Sequence, residues 1–257
     1  MITDQEVIQL FGKFADIPPD SKIDPQLFRG GGNNFPVGCS RHLEVFDKFN
    51  IIPKYCFDCY KVLITPRNVV ELFKLLMIFE KIALPNDNRR KCMVEEREEF
   101  SGTYKGYIFC KGIDEGNEVC KLVKKVVSQD ISPQVGVSLK RGCSEYALSY
   151  PGYAVIKPAS VIMQYRKDWQ SKEDFFDENS AVSRERMPDV NDDATYVSAD
   201  GLKKYTRREV LSMQYWLCYA ATIGDTSYLS ISGMTMPKIP NLKRPPFKNT
   251  IPLRKNN

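Results

Sequence analysis

The sequence predicts an α+β protein built on a ferredoxin-like βαββαβ core over residues 60–142. Three observations predict it. Two helical patterns are each flanked by short runs rich in Val, Ile, Tyr and Phe. Pro, Gly, Asn and Ser punctuate the junctions between them. Just before the first strand stand two close pairs of metal-ligating residues, spaced C-x2-H-x13-C-x2-C.

The elements follow in chain order. "TDQEVIQLFGKF" (3–14) predicts a short helix with Thr3 as N-cap. "DIPPDSKIDPQLFRGGGNNFPVG" (16–38) predicts a long irregular stretch. Its triple glycine is a flexible loop before it is an anion cradle. No GxxxxGK[ST] and no complete GxGxxG occurs, so no standard phosphate loop is indicated. "YKVLI" (60–64) predicts the first core strand. "TPRNVVELFKLLMIFEKIAL" (65–84) predicts a helix with Thr65 as N-cap and Pro66 at the first helical position. "KCMVEER" (91–97) and "TYKGYIFC" (103–110) predict a hairpin turning at Ser101 and Gly102. That register makes Cys92 and Cys110 cross-strand neighbours. Cys92, Val94, Ile108 and Cys110 then face the helices, and Met93, Tyr107 and Phe109 face away. "NEVCKLVKKVVSQ" (117–129) predicts an amphipathic helix and "VGVSLKRG" (135–142) the last strand.

Beyond the core the pattern thins. Residues 161–200 are charged and poor in aliphatics, which predicts an acidic linker or surface excursion. Thr206 and Glu209 form a capping box ahead of "VLSMQYWLCYAATI", and Gly224 can end that helix. "YLSI" (228–231) reads as a strand. The chain therefore divides into an N-terminal helix, Gly-rich loop and Cys3His module (1–59), a ferredoxin-like domain (60–160), the acidic excursion (161–200), a helical segment packed on the core (201–236) and a basic Pro-rich arm (237–257).

Charge is uneven. The arm carries Lys238, Lys243, Arg244, Lys248, Arg254 and Lys255 with no Asp or Glu. Removing that +6 from the net +5 leaves −1 for residues 1–236. The arm's five prolines keep it from forming a helix, so its charge is either solvated or used on a polyanionic partner. The opening carries no secretory pattern, and the most apolar run is broken by Glu71, Lys74, Glu80 and Lys81. The expectation is a cytoplasmic protein without a membrane role, where clustered cysteines bind metal or do chemistry more often than they form disulfides.

Cys39, His42, Cys56 and Cys59 are the candidate metal ligands. A short x2 turn lets both members of a pair point at one ion, and two such pairs complete a Cys3His tetrahedron suited to zinc. An iron–sulfur cluster or iron is the alternative. A redox dithiol would place the CxxC at a helix N-terminus, whereas Cys56 and Cys59 lead into a strand. A set of satisfied core or surface residues is the plainer reading. His42 is the only histidine, so as a metal ligand it is unavailable as a catalytic base. Cys143 stands beside Lys140 and Arg141 at the end of the last strand. In this topology that end lies near Cys56 and Cys59.

"KGYIFC" (105–110) partly resembles the RNP1 string of RNA-recognition motif domains through Lys105, Gly106, Tyr107 and Phe109. Ile108 and Gly112 depart from the pattern, and the first strand offers no RNP2 match. The resemblance implies that Tyr107 and Phe109 stack bases on an open sheet face. The competing expectation is that other segments cover that face.

The expected function is a metal-stabilised intracellular binding protein. Its partner is nucleic acid or an acidic protein surface, engaged through Lys105, Tyr107, Phe109 and the arm residues Lys243, Arg244, Lys248, Arg254 and Lys255. The alternative is a metal- or thiol-dependent enzyme using the same four ligands or the Cys143 region.

Overall fold

The computed structural model describes residues 1–12, 25–31, 39–157, 162–180, 195–197 and 203–232. The basic arm, most of the Gly-rich loop and much of the acidic stretch lie outside the described residues.

The elements are α1 (Asp4–Phe11), β1 (Gln26–Arg29), α2 (Cys39–Phe49), β2 (Cys59–Thr65), α3 (Val69–Lys81), β3 (Arg90–Val94), β4 (Tyr104–Lys111), α4 (Ile113–Asp130), β5 (Gly136–Arg141), α5 (Ser144–Ser149), α6 (Gln170–Asn179), β6 (Thr195–Val197), β7 (Lys204–Thr206), α7 (Arg207–Ile223) and α8 (Leu229–Ser232). The protein is α+β. Five strands form one sheet in the order β1-β3-β4-β2-β5, and every neighbouring pair is antiparallel.

The sheet is built by alternation. Tyr60, Val62 and Ile64 of β2 point into the main core, while Cys59, Lys61, Leu63 and Thr65 point to the opposite face. The core side is filled by Leu72, Phe73, Leu75 and Phe79 of α3 and by Val119, Val123 and Val127 of α4. α3 is buried on nearly all sides because α1 and α7 also pack against it. Trp216 of α7 meets Phe73 edge-on at 5.5 Å and donates its indole N–H to Pro25 O at 2.8 Å.

Helix caps hold as the sequence predicts at Thr3 and at Thr206 with Glu209, Glu6 completes a capping box at Thr3 as well, and Gly224 closes α7 in the left-handed conformation at φ +81°. Four expectations need correction. α3 starts later, with Asn68 rather than Thr65 as its cap. Residues 229–232 are helical rather than a strand. Residues 170–179 of the acidic stretch form α6, which places Phe176 in a packed cluster. In the hairpin Cys92 lies opposite Gly106 rather than Cys110, because the turn is centred near Glu99 rather than Ser101. The slip is four residues, an even number, so the face assignment survives: Cys92, Val94, Ile108 and Cys110 lie in the main core. Gly106 has a packing reason: a Cβ there would stand 2.4 Å from Leu75 Cδ2.

A second, smaller cluster sits at one end of the sheet. Val45, Phe46, Ile51, Ile52 and Cys56 meet Tyr146, Tyr153, Trp169 and Phe176. Arg41 ties α2 to α6 through Asp177 at 2.6 Å and Glu173 at 3.0 Å.

Candidate metal centre

Four short segments converge beside the second cluster. α2 begins at Cys39, and His42 follows one turn later on the same side. A 3-10 turn over Lys54–Asp58 carries Cys56, and Cys59 opens β2. At the far end of β5, Gly142 adopts φ +49° and donates its N–H to Cys59 O at 2.8 Å. That turn delivers Cys143, the cap of α5, to the start of β2. A Cβ on Gly142 would lie 1.8 Å from Tyr153 Oη, so only glycine fits this turn without rearrangement.

Cys39, His42, Cys56, Cys59 and Cys143 line one cavity of about 10 Å³ together with Lys61 and Tyr146. This is room for about one water-sized sphere. Two hydrogen bonds set its wall. Tyr153 Oη donates to Cys56 O at 2.5 Å, and Cys56 Sγ lies 3.5 Å from Tyr146 Oη. Lys61 Nζ donates to Cys143 Sγ at 3.2 Å. All eight cysteines are free thiols. Among the described residues no three His, Cys, Asp or Glu groups already close on a single metal position.

Burial pushes the thiols of Cys39 and Cys56 up, and that of Cys59 up to about 12. The Cys143 charge adds to the rise in all three. Metal-free, Cys39, Cys56 and Cys59 are therefore neutral and poor nucleophiles at neutral pH. His42 stacks on Tyr55 at 5.4 Å, and burial, then Arg41, hold its pKa below the ordinary value. Burial works against the Lys61 ammonium, but Cys143 and Cys59 more than offset it and its pKa is raised. Burial, then Lys61, pull Lys91 and Lys140 down to about 8.

The four sequence-predicted ligands thus share one cavity. Lys105, Tyr107 and Phe109 lie elsewhere, on the face opposite the main core. They do not form an open platform: Tyr107 and Phe109 are each 7% exposed and pack with Met93 and Leu63. Lys105 is 3% exposed and pairs with Glu95 at 3.3 Å. Lys243, Arg244, Lys248, Arg254 and Lys255 lie outside the described residues. Sequence reasoning named Lys140 beside Cys143 but missed Lys61 and Lys91. Alternation in β2 already put Lys61 on the face of Cys59, and pairing of the first and last core strands brings Lys140 directly opposite it.

No family model, no curated protein and no solved structure matches this chain. Among the described residues no helix is long and apolar enough to cross a membrane.

Proposed function

We propose that this chain is a metal-stabilised intracellular binding protein. Its core is ferredoxin-like, a reading supported by the strand order and the all-antiparallel pairing of β2 to β5. The observation that carries the metal reading is the convergence of Cys39, His42, Cys56, Cys59 and Cys143 on one small cavity. Zinc suits the donor set, and a cavity for one sphere suits a single ion. The second cluster has only nine buried apolar residues, so a structural ion contributing on the order of 10–16 kcal/mol would dominate its stability. An iron–sulfur cluster is the second reading on donor chemistry alone, because four cysteines line the cavity. Elemental analysis with an absorbance spectrum of freshly purified protein tests both. One zinc per chain and no visible absorption supports zinc, iron with visible bands supports the cluster, and no metal rejects the reading.

The partner is an anion, with nucleic acid first and an acidic protein surface second. Concentration of positive charge in residues 237–257 supports this. Duplex binding through six charges gives a log–log salt slope near roughly −5, and single strands about −4. Full-length and arm-deleted protein should differ by most of that slope. Equal, weak binding by both rejects nucleic acid.

A further inference from the structure

We infer that the centre is a four-thiolate site formed by Cys39, Cys56, Cys59 and Cys143, with His42 outside the ligand set and Lys61 as its direct counter-charge. This rests on the metal reading and replaces the Cys3His set that spacing alone suggests.

Two independent observations carry it. The first is placement. Cys143 Sγ lies on the cavity wall in contact with Lys61 Nζ, and the Gly142–Cys59 hydrogen bond fixes its approach. His42 reaches the same wall, its ring stacked at 20° on Tyr55 of that wall, and among the described residues it has no contact with Lys61 comparable to that of Cys143.

The second observation is a surplus of positive charge. Lys61, Lys91 and Lys140 all place their ammonium groups 5.4–5.9 Å from the centroid of Tyr107. Lys61 stands directly opposite Lys140 across the β2–β5 ladder, an arrangement that costs free energy between like charges. Their side-chain hydrogen bonds go to Cys143 Sγ, Gln26 Oε1 and Ser144 Oγ, and among the described residues none reaches a carboxylate. Glu95 and Glu145, whose charges reach Lys91, are both bound by Arg97. Carboxylates already bound by Arg97 are shared with these three crowded ammoniums, and thiolates at the cavity would add negative charge directly beside them. Zinc uptake by four thiols releases four protons, and the Zn²⁺ with four thiolates carries a net charge of −2 beside those cations. A Cys3His centre would carry only −1 and leave Cys143, against Lys61, outside the ligand set.

Cobalt(II), used in place of zinc on the full chain, reports the donor set through its thiolate charge-transfer and ligand-field bands. Wild type and His42→Gln should both bind one cobalt with the same four-sulfur spectrum. Cys143→Ser should shift the spectrum to fewer sulfurs and weaken zinc binding more than tenfold. Lys61→Met should keep the spectrum and weaken zinc about 10- to 100-fold, as loss of an outer partner does. If Cys143→Ser does not fold, alkylation of wild type decides: cobalt should protect Cys143 together with Cys39, Cys56 and Cys59. A spectrum changed by His42→Gln and unchanged by Cys143→Ser, or a Cys143 alkylated while the other three are protected, overturns the assignment. Wild type that takes up no metal overturns the metal reading itself.

Discussion

Cys92 and Cys110 lie on the helix-covered side of the sheet, inside the main core with Val94 and Ile108. Cys39, Cys56, Cys59 and Cys143 meet at the end of β2, beside Lys61 and a cavity. The first pair is buried and the second set is half-buried apart from Cys56, which is buried; burial raises the pKa of Cys92 and takes that of Cys110 to about 12. What differs is the company. The first set stands among apolar groups that want nothing from a thiol, so those cysteines act as small hydrophobes. The second set stands among cations that gain only if the thiols ionise. The difference teaches that thiol burial is uninformative until the neighbouring charges are counted.

The sharpest way to break the comparison is one substitution in each set. On the metal reading, Cys56→Ser should lose the metal and unfold the second cluster, because an ion worth on the order of 10 kcal/mol would hold it. Cys110→Ser should keep the metal and cost about 1–3 kcal/mol, the price of an unpaired buried hydroxyl. Zinc content and denaturant unfolding of the two variants measure this. Equal losses in both would erase the distinction.

A second contrast concerns cations. Lys105 has a carboxylate, Glu95, whereas Lys61 has a thiol. Glu95→Gln should cost about 3–5 kcal/mol by leaving a buried ammonium unpaired. Burial alone would raise the Glu95 pKa, but Arg97 and Lys105 hold it below the ordinary value. Its stabilisation is therefore present above the unfolded-state pKa and lost as pH falls through the folded one. Urea titrations from pH 7 down to pH 3 should show wild type falling toward the variant. Parallel curves across that range would contradict the pairing.

Tyr107→Ala tests whether the face opposite the main core is a platform or a packed layer. The ring is 7% exposed, so truncation should cost about 3 kcal/mol of stability. A variant of unchanged stability that loses single-strand binding would restore the base-stacking expectation. Gly142→Ala should cost about 1–3 kcal/mol, through a clash with Tyr153 Oη and a strained φ. It should also weaken zinc, since the turn aims Cys143. Unchanged zinc affinity would separate the turn from the site.

Local signals were the legible part of the fold. Capping boxes, Gly224 and the alternation in β2 read directly from neighbouring residues. The edge strand β1 did not, because its four residues sit in a stretch rich in Pro, Gly and Asn and gain strand form only by pairing with β3. α6 was hidden for a similar reason: its acidic sequence is held by Arg41 and by Phe176 packing from elsewhere in the chain. The hairpin register failed because the position of its turn is not written in strand alternation. At the site, C-x2-H-x13-C-x2-C pointed to four residues that line one cavity. Cys143 and Lys140 were visible as one polar string at the end of the last strand, and Lys61 and Lys91 entered only through the sheet register.

The most direct measurement is alkylation mapped by mass spectrometry, on native protein with and without a zinc chelator. The account predicts that chelation unfolds the second cluster and so exposes Cys39, Cys56, Cys59 and Cys143 to the reagent, while Cys92 and Cys110 stay protected until denaturant is added. Identical labelling with and without chelator, or ready reaction of the four before it is added, would contradict it.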